Sequence, residues 1–331
     1  MGGLLLSKTA AWTLFFWFVL CSVKTVLAAT DLDFLQDLGL ESNLDVTKIN
    51  VSQDEYTRMM NVYLERLTDS QQSDTIPKLI TFNSERKSWR RRRDDVTRLR
   101  FPVKPSTEDV EIENAELRLL TPPIPNKSSI RVKVYQVLSP RRRRFLEERV
   151  VYPSQLGPKW CEFDVTEAVQ RWMLGDRNLG LELECIECGE LRPIEAALSA
   201  LVLPGGSRRR RSAHYDEGRR TDCISNESRP RCCRHDMEVS FKKLKMDNIL
   251  APKSYEAGFC RGRCPLNYNH ATNHSRIQNM VHKLDRKATP RACCAPSKLE
   301  PLEILRVDPH DGTKLSVDKW DNMKVLECAC S

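Results

Sequence analysis

Nine of the thirteen cysteines in this chain of 331 residues fall after residue 220: Cys223, Cys232, Cys233, Cys260, Cys264, Cys293, Cys294, Cys328 and Cys330. Among them stand a C-x₃-C pair, Cys260 and Cys264, and a C-x-C pair, Cys328 and Cys330. Cross-bridging two such pairs closes a very small covalent ring. Adjacent cysteines and C-x-C spacing do not supply the C-x₂-C knuckles of a tetrahedral zinc site, so the pattern reads as a disulfide scaffold without metal. Nine is odd, which leaves one cysteine to bridge two chains. The segment needs such staples, because its apolar residues are strung along thin strand pieces at 240–241, 302–307 and 323–326. Only Ser275 to Leu284 carries a helical pattern, with Ile277, Met280, Val281 and Leu284 as its apolar face.

Disulfides require an oxidising compartment, and the N-terminus agrees. Lys8 precedes the apolar run Ala10 to Leu20, and Leu27-Ala28-Ala29 supplies small residues for cleavage, so residues 1–29 read as a signal peptide. The run is too short for an ordinary membrane span, and the expected product is secreted and does not span a membrane. Four N-x-S sequons, at Asn50, Asn126, Asn226 and Asn273, are candidate glycosylation sites.

Composition divides the remainder. Residues 30–100 read as an exposed helical arm, in which Tyr56, Met59, Met60, Tyr63, Leu64 and Leu67 share one face and Ser52 with Glu55 forms a capping-box signature. That face needs an apolar partner, either on its own domain or on the cysteine-rich segment. Residues 101–206 read as a β-rich domain, with alternating runs at 110–120, 130–138 and 179–184 and a short helix at 164–172. Its cysteines are Cys161, Cys185 and Cys188; the C-x-x-C lacks a thioredoxin-like context, and an odd thiol here suits a bond between two copies.

Three Arg runs carry much of the net charge of +8, which makes nucleic acid a poor partner class. Arg90 to Arg93 is a candidate processing site or a charged loop, and Arg141 to Arg144 reads as a solvated loop between strands. The best cleavage candidate is 207–211, where Gly205-Gly206-Ser207 leads into Arg208 to Arg211 and Ser212 follows. Cleavage there leaves residues 212–331. No nucleophile elbow, phosphate loop or paired-His metal motif occurs, so neither an enzyme nor a cofactor is expected.

The order C-x₈-CC-x₂₆-C-x₃-C-x₂₈-CC-x₃₃-C-x-C resembles the transforming growth factor-β superfamily, specifically its nine-cysteine branch, the transforming growth factor-β, activin and myostatin group. Cys232-Cys233-Arg234, Ala251-Pro252-Lys253-Ser254-Tyr255 and Cys293-Cys294-Ala295-Pro296 carry the likeness. Upstream, Ala115-Glu116-Leu117-Arg118-Leu119, Phe163-Asp164-Val165-Thr166 and Asn178-Leu179-Gly180-Leu181 resemble the family's propeptide. The implied fold is a small disulfide-rich β protein, a cystine-knot growth factor of paired β fingers plus one helix. An α+β propeptide with a β-rich core precedes it.

The resemblance also implies sites. Cys260–Cys328 and Cys264–Cys330 form the ring, Cys232–Cys294 threads it past Gly262, Cys223–Cys233 is an extra bond, and Cys293 joins two protomers. Bonds spanning more than 60 positions stabilise by roughly 3–5 kcal/mol each on the chain-entropy model. The implied function is a secreted dimer that brings together type I and type II receptor serine/threonine kinases. The type II face aligns with Ala251, Glu303, Leu305 and Leu315. On the type I face Met246 and Asn248 stand where two tryptophans are expected, a loss of anchor area. The propeptide itself, heparan sulfate and extracellular antagonists complete the partner classes. A receptor-occupying antagonist and a structural cystine-knot module are the alternatives.

Overall fold

The computed structural model describes residues 46–70, 77–84, 96–106, 110–186, 191–204, 222–223 and 230–331. The signal segment, Arg90 to Arg93, Cys188, the site at Arg208, Arg211 and Ser212, and the sequon at Asn226 lie outside them.

Alternating sequence builds a two-sheet sandwich upstream of the cysteine-rich segment. One sheet has the order β1-β8-β3-β6, from β1 (Lys78–Asn83), β3 (Val110–Thr121), β6 (Lys159–Asp164) and β8 (Glu195–Pro204). The other has the order β2-β7-β4-β5, from β2 (Val96–Leu99), β4 (Ile130–Ser139), β5 (Arg142–Val151) and β7 (Leu181–Ile186). All pairings are antiparallel. Successive strand residues face opposite sides. Ala115, Leu117 and Leu119 of β3 therefore meet Val132, Val134, Leu181 and Leu183 of the other sheet in one core. Helix α2 (Thr166–Met173) contributes the fully buried Trp172 to it.

Two expectations for this region differ from the structure. Among the described residues of the arm at 30–100, the helical ones are a 3₁₀ turn, Val46–Lys48, and α1 (Gln53–Ser70); β1 and β2 add an edge strand to each sheet. Four to six residues are too few to betray a strand before its partner is known. The run Arg141 to Arg144 is not a loop between strands, because Arg142, Arg143 and Arg144 open β5 opposite Ser139, Val137 and Gln136. Carboxylates of β7 and α2 hold them there: Arg143 pairs with Glu184 at 2.8 Å and Arg144 with Glu167 at 2.9 Å. Cys161 is a free thiol pushed up to about 12, chiefly by burial, whereas Cys185 is disulfide-bonded.

The cysteine-rich segment is thin. β9 (Cys233–His235) pairs with β13 (Phe259–Arg261), and β10 (Glu238–Ser240) with β12 (Ser254–Glu256). The expected strand pieces at 302–307 and 323–326 belong to a long hairpin of β14 (Cys294–Val307) and β15 (Leu315–Cys330), with β11 (Ile249–Ala251) on the outer edge of β14. A small core of Phe241, Ile249, Tyr255, Ala257, Leu302, Ile304 and Trp320 fills one side of this sheet.

Helix α3 (Asn273–Leu284) begins at a capping box between Thr272 and Ser275. Polar residues hold it in place. Asn279 donates to the Cys264 carbonyl at 3.2 Å and accepts from the Ala292 N–H at 3.0 Å. The apolar stripe consequently points outward, with Ile277 59%, Met280 52% and Leu284 89% exposed.

Candidate functional site

The ring and its threading bond come first. Cys260 bonds Cys328 and Cys264 bonds Cys330, so residues 260–264 and 328–330 close a covalent loop. Cys232 bonds Cys294, and Cys223 bonds Cys233. The sulfurs of Cys232, Cys264 and Cys330 lie within 4.8 Å of one another; all three are in disulfides and none is free to hold a metal. On the other side of the ring stands Gly262, at a φ of +136° that favours glycine. A Cβ there would meet the Arg231 carbonyl oxygen at 2.4 Å and the Cys232 nitrogen at 2.7 Å. Its missing side chain makes room for the backbone that carries Cys232 inward. Cys293, beside the threaded Cys294, is exposed and free, and its backbone exchanges hydrogen bonds of 2.7 and 2.8 Å with Ser331.

A second constellation joins the two halves of the chain. The α1 face of Tyr56, Met59, Met60, Tyr63 and Leu64, with Val51, packs on Leu250, Ala251, Leu305, Val307, Leu315 and Val317. These last six form one side of the β11-β14-β15 sheet. Leu201 and, at the margin, Leu79 complete the cluster, so the helix bridges its own domain and the cysteine-rich segment. Hydrogen bonds fix the register. Glu55 accepts from the Leu315 N–H at 3.2 Å, Arg66 donates to the Val317 carbonyl at 2.7 Å, and the Asn50 N–H donates to the Gly312 carbonyl at 2.9 Å. A Cβ on Gly312 would come within 2.9 Å of the Lys48 carbonyl, so the hairpin tip accepts the passing strap only as glycine. Half of the capping box survives at Ser52, whose hydroxyl accepts from the Glu55 N–H at 3.2 Å.

Ionic groups sit beneath the strap. On β3, Asn114, Glu116 and Arg118 share the face opposite the sandwich core, and all three are buried. Arg118 is wholly enclosed: it donates to the Val51 carbonyl at 2.7 Å, lies 3.3 Å from Glu162 and stacks 4.2 Å from the Tyr56 ring centroid. Glu116 pairs with Lys253 of the cysteine-rich segment and accepts from Asn114 at 3.3 Å. Burial alone would raise the Glu116 carboxyl. The Lys253 charge and hydrogen bond, with Arg118 and Asn114, outweigh it and hold the group below its ordinary value. Burial lowers the Lys253 ammonium, and Glu116 with Glu162 more than restores it. Burial also raises the Tyr56 hydroxyl, with Glu116 adding to the effect. A second ion pair crosses the same seam, Lys242 to Glu147 at 2.7 Å. Sequence reasoning missed these pairs. The signal available was three polar residues of one parity in a strand whose other parity is apolar, which ordinarily marks a wet face.

The remaining candidate residues fall as follows. Ala251, Leu305 and Leu315 lie under α1; Glu303 is partly buried, and burial first, then the charges of Glu113 and Glu303, raises the Tyr63 hydroxyl. Met246 packs at the margin of the small core, and the Asn248 carbonyl accepts from the Val307 N–H at 2.9 Å. Trp320 supplies aromatic bulk to that core, 6.3 Å from Phe241. Of the sequons, Asn126 is exposed in a turn and Asn273 is exposed at the start of α3. The Asn50 side chain is engaged, accepting from the Trp160 N–H at 2.9 Å and donating to the Pro158 carbonyl at 3.3 Å.

Comparison with family models agrees with this geometry. The transforming growth factor beta like domain matches residues 231–330, the span of the ring and its hairpin. The TGF-beta propeptide matches residues 36–204, which is more than half of the chain and includes both the strap and the sandwich. Ligands of this family are signalling growth factors, not enzymes. The chain thus belongs to the transforming growth factor-β superfamily, as a ligand precursor in which a propeptide sandwich is strapped onto a cystine-knot growth factor domain.

Proposed function

We propose that the protein is secreted, cleaved after Arg211 and active as a disulfide-linked dimer that brings together type I and type II receptor serine/threonine kinases. One observation carries the reading: three of the four residues aligned with the type II face, Ala251, Leu305 and Leu315, are buried under α1. A receptor and the propeptide cannot hold that surface together, so the propeptide keeps the ligand latent until it leaves. Two further features support a dimer, the exposed thiol of Cys293 and the outward apolar stripe of α3, which a second copy covers. The nine cysteines favour the branch of transforming growth factor-β, activin and myostatin.

The test is a panel of receptor ectodomains against the processed protein before and after the propeptide is removed. Binding of type II ectodomains only after removal supports the reading; equal binding in both states overturns latency through this face. A second reading rests on Met246 and Asn248, which leave the type I face without its two aromatic anchors. On that reading the dimer occupies type II receptors without signalling. A cell reporter decides: activation supports the agonist, and suppression of another ligand's signal supports the antagonist.

A further inference from the structure

The disulfide outside the ring has a chemical setting that the knot does not use. Cys223–Cys233 closes a loop of 10 positions, whereas the three knot bonds span 62, 66 and 68. It therefore constrains far less of the chain than they do. What it holds is local. It ties Asp222 and Cys223, the first described residues of the growth factor domain, to β9, where the Cys223 N–H donates to the Arg234 carbonyl at 2.9 Å.

A histidine stands beside it. A ring nitrogen of His235 and the sulfurs of Cys223 and Cys233 all lie within 4.8 Å of one another. His235 is two residues after Cys233 on β9, so both side chains leave the same face of the strand. The His235 ring stacks on Phe259 of β13 at 5.0 Å, and its Nε2 is enclosed with no hydrogen-bond partner among the described residues. Cys233 is buried, and its sulfur lies 3.7 Å from the Arg261 carbonyl oxygen, an acceptor that a thiol can use and a disulfide sulfur cannot. Cys223 is partly exposed. Phe259 and Met237 are 37% and 40% exposed, so among the described residues this corner stays open to solvent with the propeptide in place.

We infer that Cys223–Cys233 is a site of thiol–disulfide exchange with an external dithiol, and that His235 is the proton donor to the leaving sulfur. The Cys223 sulfur is the one an attacking thiolate reaches from solvent. A bond forms between those two sulfurs as Cys223–Cys233 breaks; its electron pair goes to the Cys233 sulfur, which takes a proton from the His235 imidazolium. A histidine cation beside a sulfur favours the thiolate, and so makes Cys233 the better leaving group. The Cys233 thiol then donates to the Arg261 carbonyl. The second thiolate of the dithiol attacks its own sulfur in the mixed disulfide and displaces Cys223, which takes a proton from water. The dithiol ends as a disulfide and the cysteine pair as two thiols, a transfer of two electrons. Opening frees the leading segment of the growth factor domain from β9 and leaves the three knot bonds in place. The inference requires no particular receptor.

The experiment exposes the full secreted protein, natively folded, to dithiothreitol, thioredoxin or glutathione. Free thiols are alkylated with one label, the protein is denatured and reduced, and the remaining cysteines take a second label for mass spectrometry. Cys223 and Cys233 are expected to take the first label at least about tenfold faster than Cys232, Cys260, Cys264, Cys294, Cys328 and Cys330. Glutathione, which has no second thiol, should be caught on Cys223. A knot bond that opens as fast, or glutathione caught on Cys233, overturns the site. Thioredoxin and dithiothreitol distinguish a protein dithiol from a small one, and failure of both overturns the proposal. His235→Gln should slow the opening by about tenfold or more, as loss of a positioned proton donor predicts. A side chain that only packed would act the other way, since its loss uncovers the bond; opening that is unchanged or faster overturns the role of His235. The paired variant Cys223→Ser, Cys233→Ser should be secreted with the three knot bonds intact, and scrambled knot bonds in it would overturn an exchange that spares the knot.

Discussion

Lys253 of the growth factor domain reaches across the seam to Glu116 of the propeptide, a carboxylate with only 4% of its side chain exposed. The two partners are not equivalent. The Lys253 side chain keeps 45% of its surface in solvent and can return its ammonium to water, whereas Glu116 cannot move out of β3. Lys253→Ala therefore strands a buried charge and should weaken propeptide retention by more than Glu116→Gln does. The check is the dissociation rate of the processed complex: at least tenfold faster for Lys253→Ala, an order-of-magnitude expectation for a stranded charge, and a smaller change for Glu116→Gln. Rates equal to wild type in both variants would show that the pair contributes nothing to the seam.

The same pair fixes a pH dependence. Burial pushes the Glu116 carboxyl up, but Lys253 above all holds it below the ordinary carboxylate value in the complex, and that charge and hydrogen bond are lost when the parts separate. Its contribution is thus fully present above the ordinary value and is lost as pH falls through the depressed one. Lys253 is raised, so its contribution persists below the ordinary lysine value and disappears only above the raised one. Neither limit lies between roughly pH 5 and 9. The processed complex should hold at pH 5 and loosen only in stronger acid, with Glu116→Gln flattening the acid limb. Release at pH 6 in a sedimentation or size-exclusion series would contradict this.

How much of this was legible beforehand follows from where each partner lies in the chain. The ring of Cys260, Cys264, Cys328 and Cys330 rests on short spacings that can be counted directly, and the α1 stripe from Tyr56 to Leu67 on a local period. What α1 covers is not local: Leu315 and Val317 lie some 250 positions later, so periodicity asked for a partner without naming one. Asn114, Glu116 and Arg118 alternate with apolar residues as a wet strand face would, and only the strap and Lys253 make that face dry. On α3 the period was clear, yet Asn279 anchors the helix by its polar side and turns Ile277, Met280 and Leu284 outward. Pattern reveals a face; it does not say which side water takes.

Met60 is the most enclosed residue of the strap, with no surface exposed. Met60→Ala removes most of a buried side chain at a junction of two separable parts, a change that costs about 2–5 kcal/mol when the site cannot collapse. The affinity of the propeptide for the growth factor domain should fall by well over tenfold, seen as faster exchange of labelled propeptide. The exposed Glu65→Ala, on the far side of the same helix, should leave exchange nearly unchanged.

Gly262→Ala tests the knot. Even the smallest side chain meets backbone atoms at 2.4 to 2.7 Å, at a φ that L-residues rarely adopt. The segment 231–232 is carried inward by Cys232 and cannot yield without shifting the Cys232–Cys294 bond. The variant should be retained in the cell or secreted with scrambled disulfides, read by disulfide mapping of the medium. Normal secretion with native pairing would mean that the close approach is not required.

Cys293 tests the dimer, and a second variant keeps the test sharp. Cys293→Ser removes an exposed thiol whose neighbours are the chain's last residue and Arg291, so the fold has little to lose. On a gel without reductant, wild type should run as a dimer that reductant halves, and Cys293→Ser as a monomer in both lanes. Association through the apolar stripe of α3 does not need the bond. In solution Cys293→Ser should still dimerise at micromolar concentration, whereas Met280→Asp added to it should give monomer, since a charge in that stripe opposes burial. A Cys293→Ser protein that is monomeric by sedimentation, with Met280→Asp making no difference, would show that the stripe faces something other than a second copy.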